Sequence, residues 1–153
     1  MNTFYLQTPF SALRVDCTEQ ALVGVEYVTR IGRQGPANDL QRRIARQIEA
    51  YCRNAESAFD LPMDIEGTAF QQRVWAAMQA IPVGEVRTYG EIARQLKSSP
   101  RAVGNACHAN PIPLIIPCHR IVAASGIGGF SGATSGPRVN LKRRLLVHEG
   151  VEI

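Results

Sequence analysis

The 153-residue chain predicts an α+β protein, with a small β-meander-plus-helix N-terminal lobe over residues 1–66. A mostly helical C-terminal domain with a helix-turn-helix follows over 67–153. Three observations predict this. Short β-branched stretches separated by turn residues fill the first thirty positions, apolar residues recur at helical spacing from residue 38 onward, and capping signals stand at Asn38, Thr68, Thr88 and Ser99.

Phe4–Gln7 and Ala12–Cys17 read as strands, with Thr8-Pro9 turning between them. Ala21–Val28, rich in valine, is the third strand of an antiparallel meander. Asn38 starts a helix that runs to 54, with Gln41 placed for a capping box. Leu40, Ile44, Ile48 and Tyr51 are its inward face. Residues 58–66 are the linker to the second lobe. Thr68 caps the next helix, whose apolar face is Phe70, Val74, Trp75 and Met78. Val83–Arg87 is a turn or short extended piece. Thr88 and Glu91 form a second capping box, and Ile92, Ala93 and Leu96 face inward. Ser99 caps a short helix that has Pro100 at its first position and is lined by Ala102, Val103, Gly104 and Ala106. Two short helices joined by a tight turn make a helix-turn-helix, and small residues let the second lie close to a duplex or to another helix.

The most apolar stretch, Asn110-Pro-Ile-Pro-Leu-Ile-Ile-Pro-Cys-His-Arg120, carries three prolines that forbid a regular helix. It is expected to be a buried, extended strap that delivers Cys118 to a fixed place. A thiolate is a strong nucleophile and nearby cations favour it, with His119 and Arg120 next in sequence. By itself a cysteine after an apolar run is equally a small buried hydrophobe. Ile121–Ala124 is a short extended piece. Ser125–Gly136 is a Gly/Ser-dense loop that lacks the P-loop pattern. Arg138–His148 is a basic helix with Leu141, Leu145 and Leu146 inward, ended by Glu149-Gly150.

Hydrophobic residues make up 45% of the chain and charged residues 20%, as in ordinary globular proteins. No apolar run is long enough to span a bilayer, and the N-terminus has no secretory pattern. Four cysteines (Cys17, Cys52, Cys107, Cys118) lack pair or zinc-ligand spacing. Free thiols in a reducing cytoplasm, with no structural metal, are the expectation. The net charge of +4 is uneven. Residues 1–67 hold 7 Lys/Arg against 9 Asp/Glu, and residues 68–153 hold 10 against 4. A polyanionic partner for the second half fits this asymmetry.

Six motifs in the second half carry a resemblance: F-Q-Q-R-V-W (70–75), I-P-V-G-E-V-R-T-Y-G-E-I-A (81–93), R-A-V-G-N-A (101–106), the 110–120 strap, G-G-F-S-G (128–132) and L-L-V-H-E-G (145–150). In this order they resemble the C-terminal domain of the O6-alkylguanine-DNA alkyltransferases, and the first lobe is more weakly similar to that family's N-terminal domain. The resemblance implies a DNA-repair protein that flips an alkylated guanine from double-stranded DNA and moves its O6-alkyl group irreversibly onto Cys118. It implies that His119, through a water, deprotonates Cys118 and that Glu149 orients His119, so that the two together lower the thiol's pKa. Tyr89 would donate to the base ring and the Ser131 backbone N–H would meet O6. Asn110 would brace the turn before the strap, and Arg101 would fill the space that the flipped base leaves. The helix-turn-helix, with Ala102 and Gly104, would face the minor groove. No cofactor is implied, and a monomer is expected; O4-alkylthymine stays open as a second substrate. Phe130 replaces a common tyrosine, and Gly132–Asn140 is longer than the family pattern. The alternatives are a non-catalytic alkyl-lesion-binding protein that recruits another repair pathway and, further off, a cysteine hydrolase.

Overall fold

A computed structural model describes residues 2–129 and 136–153. The chain divides into two compact units, Met1–Glu66 and Gly67–Ile153. The first holds β1 (Asn2–Gln7), β2 (Ala12–Cys17) and β3 (Leu22–Val28) in an antiparallel sheet of order β1-β2-β3. Its register pairs Phe4 with Val15 and Val15 with Val25, and a bulge falls at Asp16/Cys17. Alternation on β2 buries Leu13, Val15 and Cys17.

Helix α1 (Asp39–Arg53) buries Gln41, Ile44, Ala45, Ile48 and Tyr51, while Leu40 is only half-buried. Asn38 accepts from the Gln41 N–H, but the Gln41 side chain reaches Ala37 N rather than Asn38 N, so the expected reciprocal box does not close. Residues 58–66 are not a free linker. Met63 bridges Leu22 in parallel, Gln47 exchanges hydrogen bonds with Asp60, and Phe59 lies 5.5 Å from Tyr51, ring to ring. Backbone groups at Pro62 and Asp64 thereby satisfy Leu22 at the start of the outer edge of β3.

The second unit opens with α2 (Ala69–Gln79), whose Thr68/Gln71 capping box is complete. Its Trp75 is buried and donates from Nε1 to Ala106 O at 2.9 Å, which ties α2 to the later α4. A two-residue strand β4 (Arg87–Thr88) runs directly into α3 (Tyr89–Leu96), capped by the Thr88/Glu91 box. A three-residue turn with Lys97 left-handed (φ 57°) leads to α4 (Pro100–His108), where Ser99 caps and Pro100 takes the first position. This is the helix-turn-helix that the caps predict. Cys118–Arg120 form a 3₁₀ turn, and β5 (Ile121–Val122) pairs in parallel with β4. Helix α5 (Pro137–His148) closes the unit and buries Leu141, Lys142, Leu145 and Leu146. No helix among the described residues is long and apolar enough to cross a membrane.

Candidate active site around Cys118

The segment before Cys118 departs from expectation. It is not extended but folded back on itself: Ile116 N donates to Ile112 O, and Leu114 turns the chain at φ 75°. Asn110 holds both ends of this loop, its Oδ1 accepting from Ile112 N and its Nδ2 donating to Ile116 O, each at 2.9 Å. Burial of Ile112, Leu114, Ile115 and Ile116 drives the loop inward, and the prolines keep it from becoming helix. The strap is thus rigid and buried as expected, but by turn closure. It ends at Cys118, only 8% exposed, whose C=O accepts from Ile121 N.

The β4–β5 ladder pairs Arg87 with Ile121 and Thr88 with Val122. The residue after β4 is Tyr89 and the turn before β5 is Cys118–Arg120, so a four-residue ladder brings the start of α3 and the Cys118 turn together. Gly104 faces one edge of the Tyr89 ring and Gly128 the other; a Cβ there would lie 3.9 Å from Cε1 and 3.4 Å from Cε2 respectively. Burial pushes the Tyr89 phenol up to about 12. The group stays protonated at neutral pH and can donate a hydrogen bond.

His119 is fully buried and its Nε2 lies 2.7 Å from Glu149 Oε2. Arg120 donates from Nε to Glu149 Oε1 at 2.8 Å, from Nη2 to Oε2 at 3.2 Å and from Nη1 to Ile81 O at 2.7 Å. A carboxylate gripped by a guanidinium is an acceptor, so His119 Nε2 carries the proton and Nδ1 is bare. That Nδ1 is buried and has no hydrogen-bond partner among the described residues. Burial holds the His119 pKa below its ordinary value, against the opposing pull of Glu149, so the ring is neutral at pH 7. A bare, neutral imidazole nitrogen on a ring whose other nitrogen is held by an anchored carboxylate is the arrangement of a general base.

Glu149 sits at the end of α5. Gly150 takes the left-handed position (φ 91°), Val151 N reaches back to Leu146 O and Gly150 N to Val147 O, which is a complete Schellman stop. The stop fixes where the carboxylate points. The Ile81–Glu85 turn passes close by; a Cβ on Gly84 (φ 86°) would stand 3.2 Å from Glu149 O.

Cys118 differs from expectation in its acidity. Burial raises its pKa, and the Asn110 side chain, Lys142 and the local backbone N–H groups oppose that rise only in part. A depressed thiol driven by His119 and Glu149 is not the resting state, because a neutral imidazole supplies no positive charge. Two residues that belong here escaped the sequence. In sequence Arg120 reads only as a cation near Cys118, yet its partner is Glu149. Lys142 looks like one more charge in the run Lys142-Arg143-Arg144, but it is fully buried and donates to Ile121 O at 2.6 Å and Gly129 O at 2.9 Å. The available signal was spacing: Lys142 lies three and four residues before Leu145 and Leu146, on their face.

Cys118, His119, Glu149, Asn110 and Tyr89 therefore converge. Arg101 stands apart, exposed in the first turn of α4, while Ala102 and Gly104 are half-buried on the same helix. Ser131, Phe130 and the start of Gly132–Asn140 lie outside the described residues; the end of that stretch is the first turn of α5. All four cysteines are free, and the described residues contain no group of three or more His, Cys, Asp or Glu fit for a metal.

Residues 69–151 match the family model "6-O-methylguanine DNA methyltransferase, DNA binding domain". A methylated-DNA–protein-cysteine methyltransferase of Sulfolobus acidocaldarius is 36% identical over 146 residues, covering 95% of this chain and 91% of that one. The crystal structure of the Mycobacterium tuberculosis O6-methylguanine methyltransferase is similar at 35% identity and a TM-score of 0.82, covering 97% of this chain and 92% of that one. The same organism's protein in complex with DNA gives 36% identity and a TM-score of 0.79, over 97% of this chain and 92% of that one. With the family model matched over residues 69–151, nearly all of the unit that holds the Cys118 site, this chain belongs to the 6-O-methylguanine DNA methyltransferase family.

Proposed function

We propose that this protein repairs DNA directly, taking the O6-alkyl group of guanine in a duplex onto Cys118, one group per molecule. The observation that carries the reading is the buried thiol at the end of an Asn110-closed loop, next to a neutral His119 whose Nε2 is held by Glu149, itself gripped by Arg120. His119 Nδ1 takes the thiol proton through a water, and the Cys118 thiolate attacks the alkyl carbon in line. The S–C bond forms as the C–O6 bond breaks, and the electron pair passes to the guanine. Tyr89, a protonated phenol, donates to the ring as that charge develops. The product is a thioether, which no further group among the described residues of the site is suited to cleave, and the protein acts once.

The second unit, 67–153, carries both DNA binding and transfer in this reading. Helices α3 and α4 present Arg101 to the minor groove, where it occupies the stack after the base is extruded, a step that costs a few kcal/mol. Ala102 and Gly104 allow close approach, and the Ser131 backbone N–H donates to O6. A related protein has been crystallised in complex with DNA, which supports the partner. The protein acts as a cytoplasmic monomer without cofactor.

Intact-protein mass spectrometry after mixing with a duplex that holds one O6-methylguanine tests the proposal. One methyl on Cys118, saturating at one per molecule and absent in Cys118→Ala, is the expected result. A retarded duplex with unchanged protein mass would instead mean lesion binding, and repaired DNA with unchanged protein would mean a true catalyst.

A further inference from the structure

Lys142 has no task in the scheme above, yet the fold buries it completely. Taking an ammonium out of water costs several kcal/mol unless its donors and its charge are both met. Two donors are met by the carbonyls of Ile121 and Gly129. Neither bond goes to a carboxylate, so the charge is met by dipoles alone. The Ile121 end of this pair is one hydrogen bond from the nucleophile's own turn, since Ile121 N donates to Cys118 O. The ammonium also lies 6.0 Å from the centre of the Tyr89 ring. The titratable groups that face it are Tyr89 from α3, Cys107 from α4, and Cys118 and His119 from the 3₁₀ turn. Of these, Cys118 is the one whose reaction requires a negative charge.

We propose that Lys142 is a positioning residue that serves as the counter-charge for the Cys118 thiolate and, through its two carbonyl bonds, ties β5 and Gly129 around it. The proposal rests on the alkyl-transfer reading for its purpose, but the pairing itself can be measured without DNA. When the thiol proton leaves for His119 Nδ1, the buried anion forms beside a cation already in place. When the sulfur gains its alkyl group it becomes neutral, and the ammonium loses its partner. The groups are coupled in the direction this requires: burial lowers Lys142 to about 8, Cys118 raises it again, and Lys142 in turn lowers Cys118.

The test is the pH dependence of Cys118 alkylation by iodoacetamide, read by peptide mass spectrometry, in the unaltered protein, Lys142→Met and Lys142→Arg. Lys142→Met is expected to move the midpoint upward by about one pH unit, a roughly tenfold slower reaction at a fixed lower pH. Lys142→Arg, which keeps the charge, is expected to leave the midpoint near its original value. A folded Lys142→Met protein with an unmoved midpoint overturns the proposal, as does an Arg variant shifted as far as the Met variant. If Lys142→Met does not fold, the unaltered protein decides: the Lys142 Nζ titration, followed by ¹⁵N NMR, should fall once Cys118 is S-methylated, and an unchanged titration overturns the pairing. A shifted midpoint in a protein that takes no methyl from O6-methylguanine would uphold the pairing and refute the alkyl-transfer reading.

Discussion

Glu149 holds two partners at once, and the consequences of losing its charge can be ranked. Glu149→Gln keeps the shape but leaves the Arg120 guanidinium, 11% exposed, without its anion. Breaking a buried pair from one side costs about 3–5 kcal/mol, so urea denaturation should show a loss in that range. The Gln variant can also present its amide N–H to His119 Nε2 and so reverse the tautomer, placing the proton on Nδ1. Methyl transfer to Cys118 is therefore expected to fall about a hundredfold or more even where the fold survives. A second prediction concerns acid. The folded His119 pKa lies below its ordinary value, so under about pH 6.5 the unfolded chain binds a proton that the folded chain refuses. Stability should then fall as pH drops from about 6.5 toward the folded pKa, by up to about 1.4 kcal/mol per pH unit. His119→Gln should remove that slope between about pH 6.5 and 5.5, and thermal melts across this range would read it. At this scale the sequence showed chemistry but not environment. The P-C-H-R run pointed to the nucleophile and base, and the resemblance supplied Glu149. Nothing local in the sequence said that Arg120 would turn to Glu149 or that burial would outweigh its neighbours' pull on Cys118.

Secondary-structure elements position this site through their ends rather than their middles. Tyr89 is the first residue of α3, Glu149 caps α5, and Cys118 opens a 3₁₀ turn. Caps were also the most legible signals: Thr68 caps α2, the Thr88/Glu91 box closes as read, and Ser99-Pro100 starts α4. The 110–117 segment was not legible, because its prolines exclude helix without choosing between an extended chain and a closed loop. That choice is made by the Asn110 side chain and by isoleucines that need the interior. Two substitutions separate capping from loop closure. Thr88→Ala removes one cap and should cost about 1 kcal/mol, with a modest loss of transfer as Tyr89 loosens. Asn110→Ala deletes two hydrogen bonds to backbone groups, each worth about 0.5–1.5 kcal/mol, and frees the loop that ends at Cys118. It should slow methyl transfer more than Thr88→Ala does for a comparable loss of melting temperature. Equal slowing per unit of lost stability would mean that Asn110 is only structural.

For the whole molecule the informative quantity is where charge lies along the chain. The order of elements was readable from periodicity, and the meander, its helix and the later helices all appear where spacing put them. Residues 58–66 were not, since their apolar positions Phe59, Leu61 and Met63 are too few to announce docking against α1 and β3. Composition gives residues 68–153 an excess of cations, 10 Lys/Arg to 4 Asp/Glu, and residues 1–67 a slight excess of acids. Two of the ten, Arg120 and Lys142, are taken up by Glu149 and by buried carbonyls, which leaves the exposed ones, Arg94, Lys97 and Arg101 among them, to meet a polyanion. Binding to duplex DNA should accordingly weaken with salt, the log of the binding constant falling linearly with the log of salt concentration. Arg101→Ala should reduce the magnitude of that slope by about one, because one fewer phosphate counterion is released. Arg42→Ala, on the exposed face of α1 in the acidic half and already paired with Asp39, should leave the slope unchanged. Fluorescence anisotropy with an undamaged labelled duplex across a salt series measures both. Equal losses of slope for the two variants would show that DNA contact is shared by both halves of the chain, and an unchanged slope for Arg101→Ala would remove that residue from the DNA-facing surface.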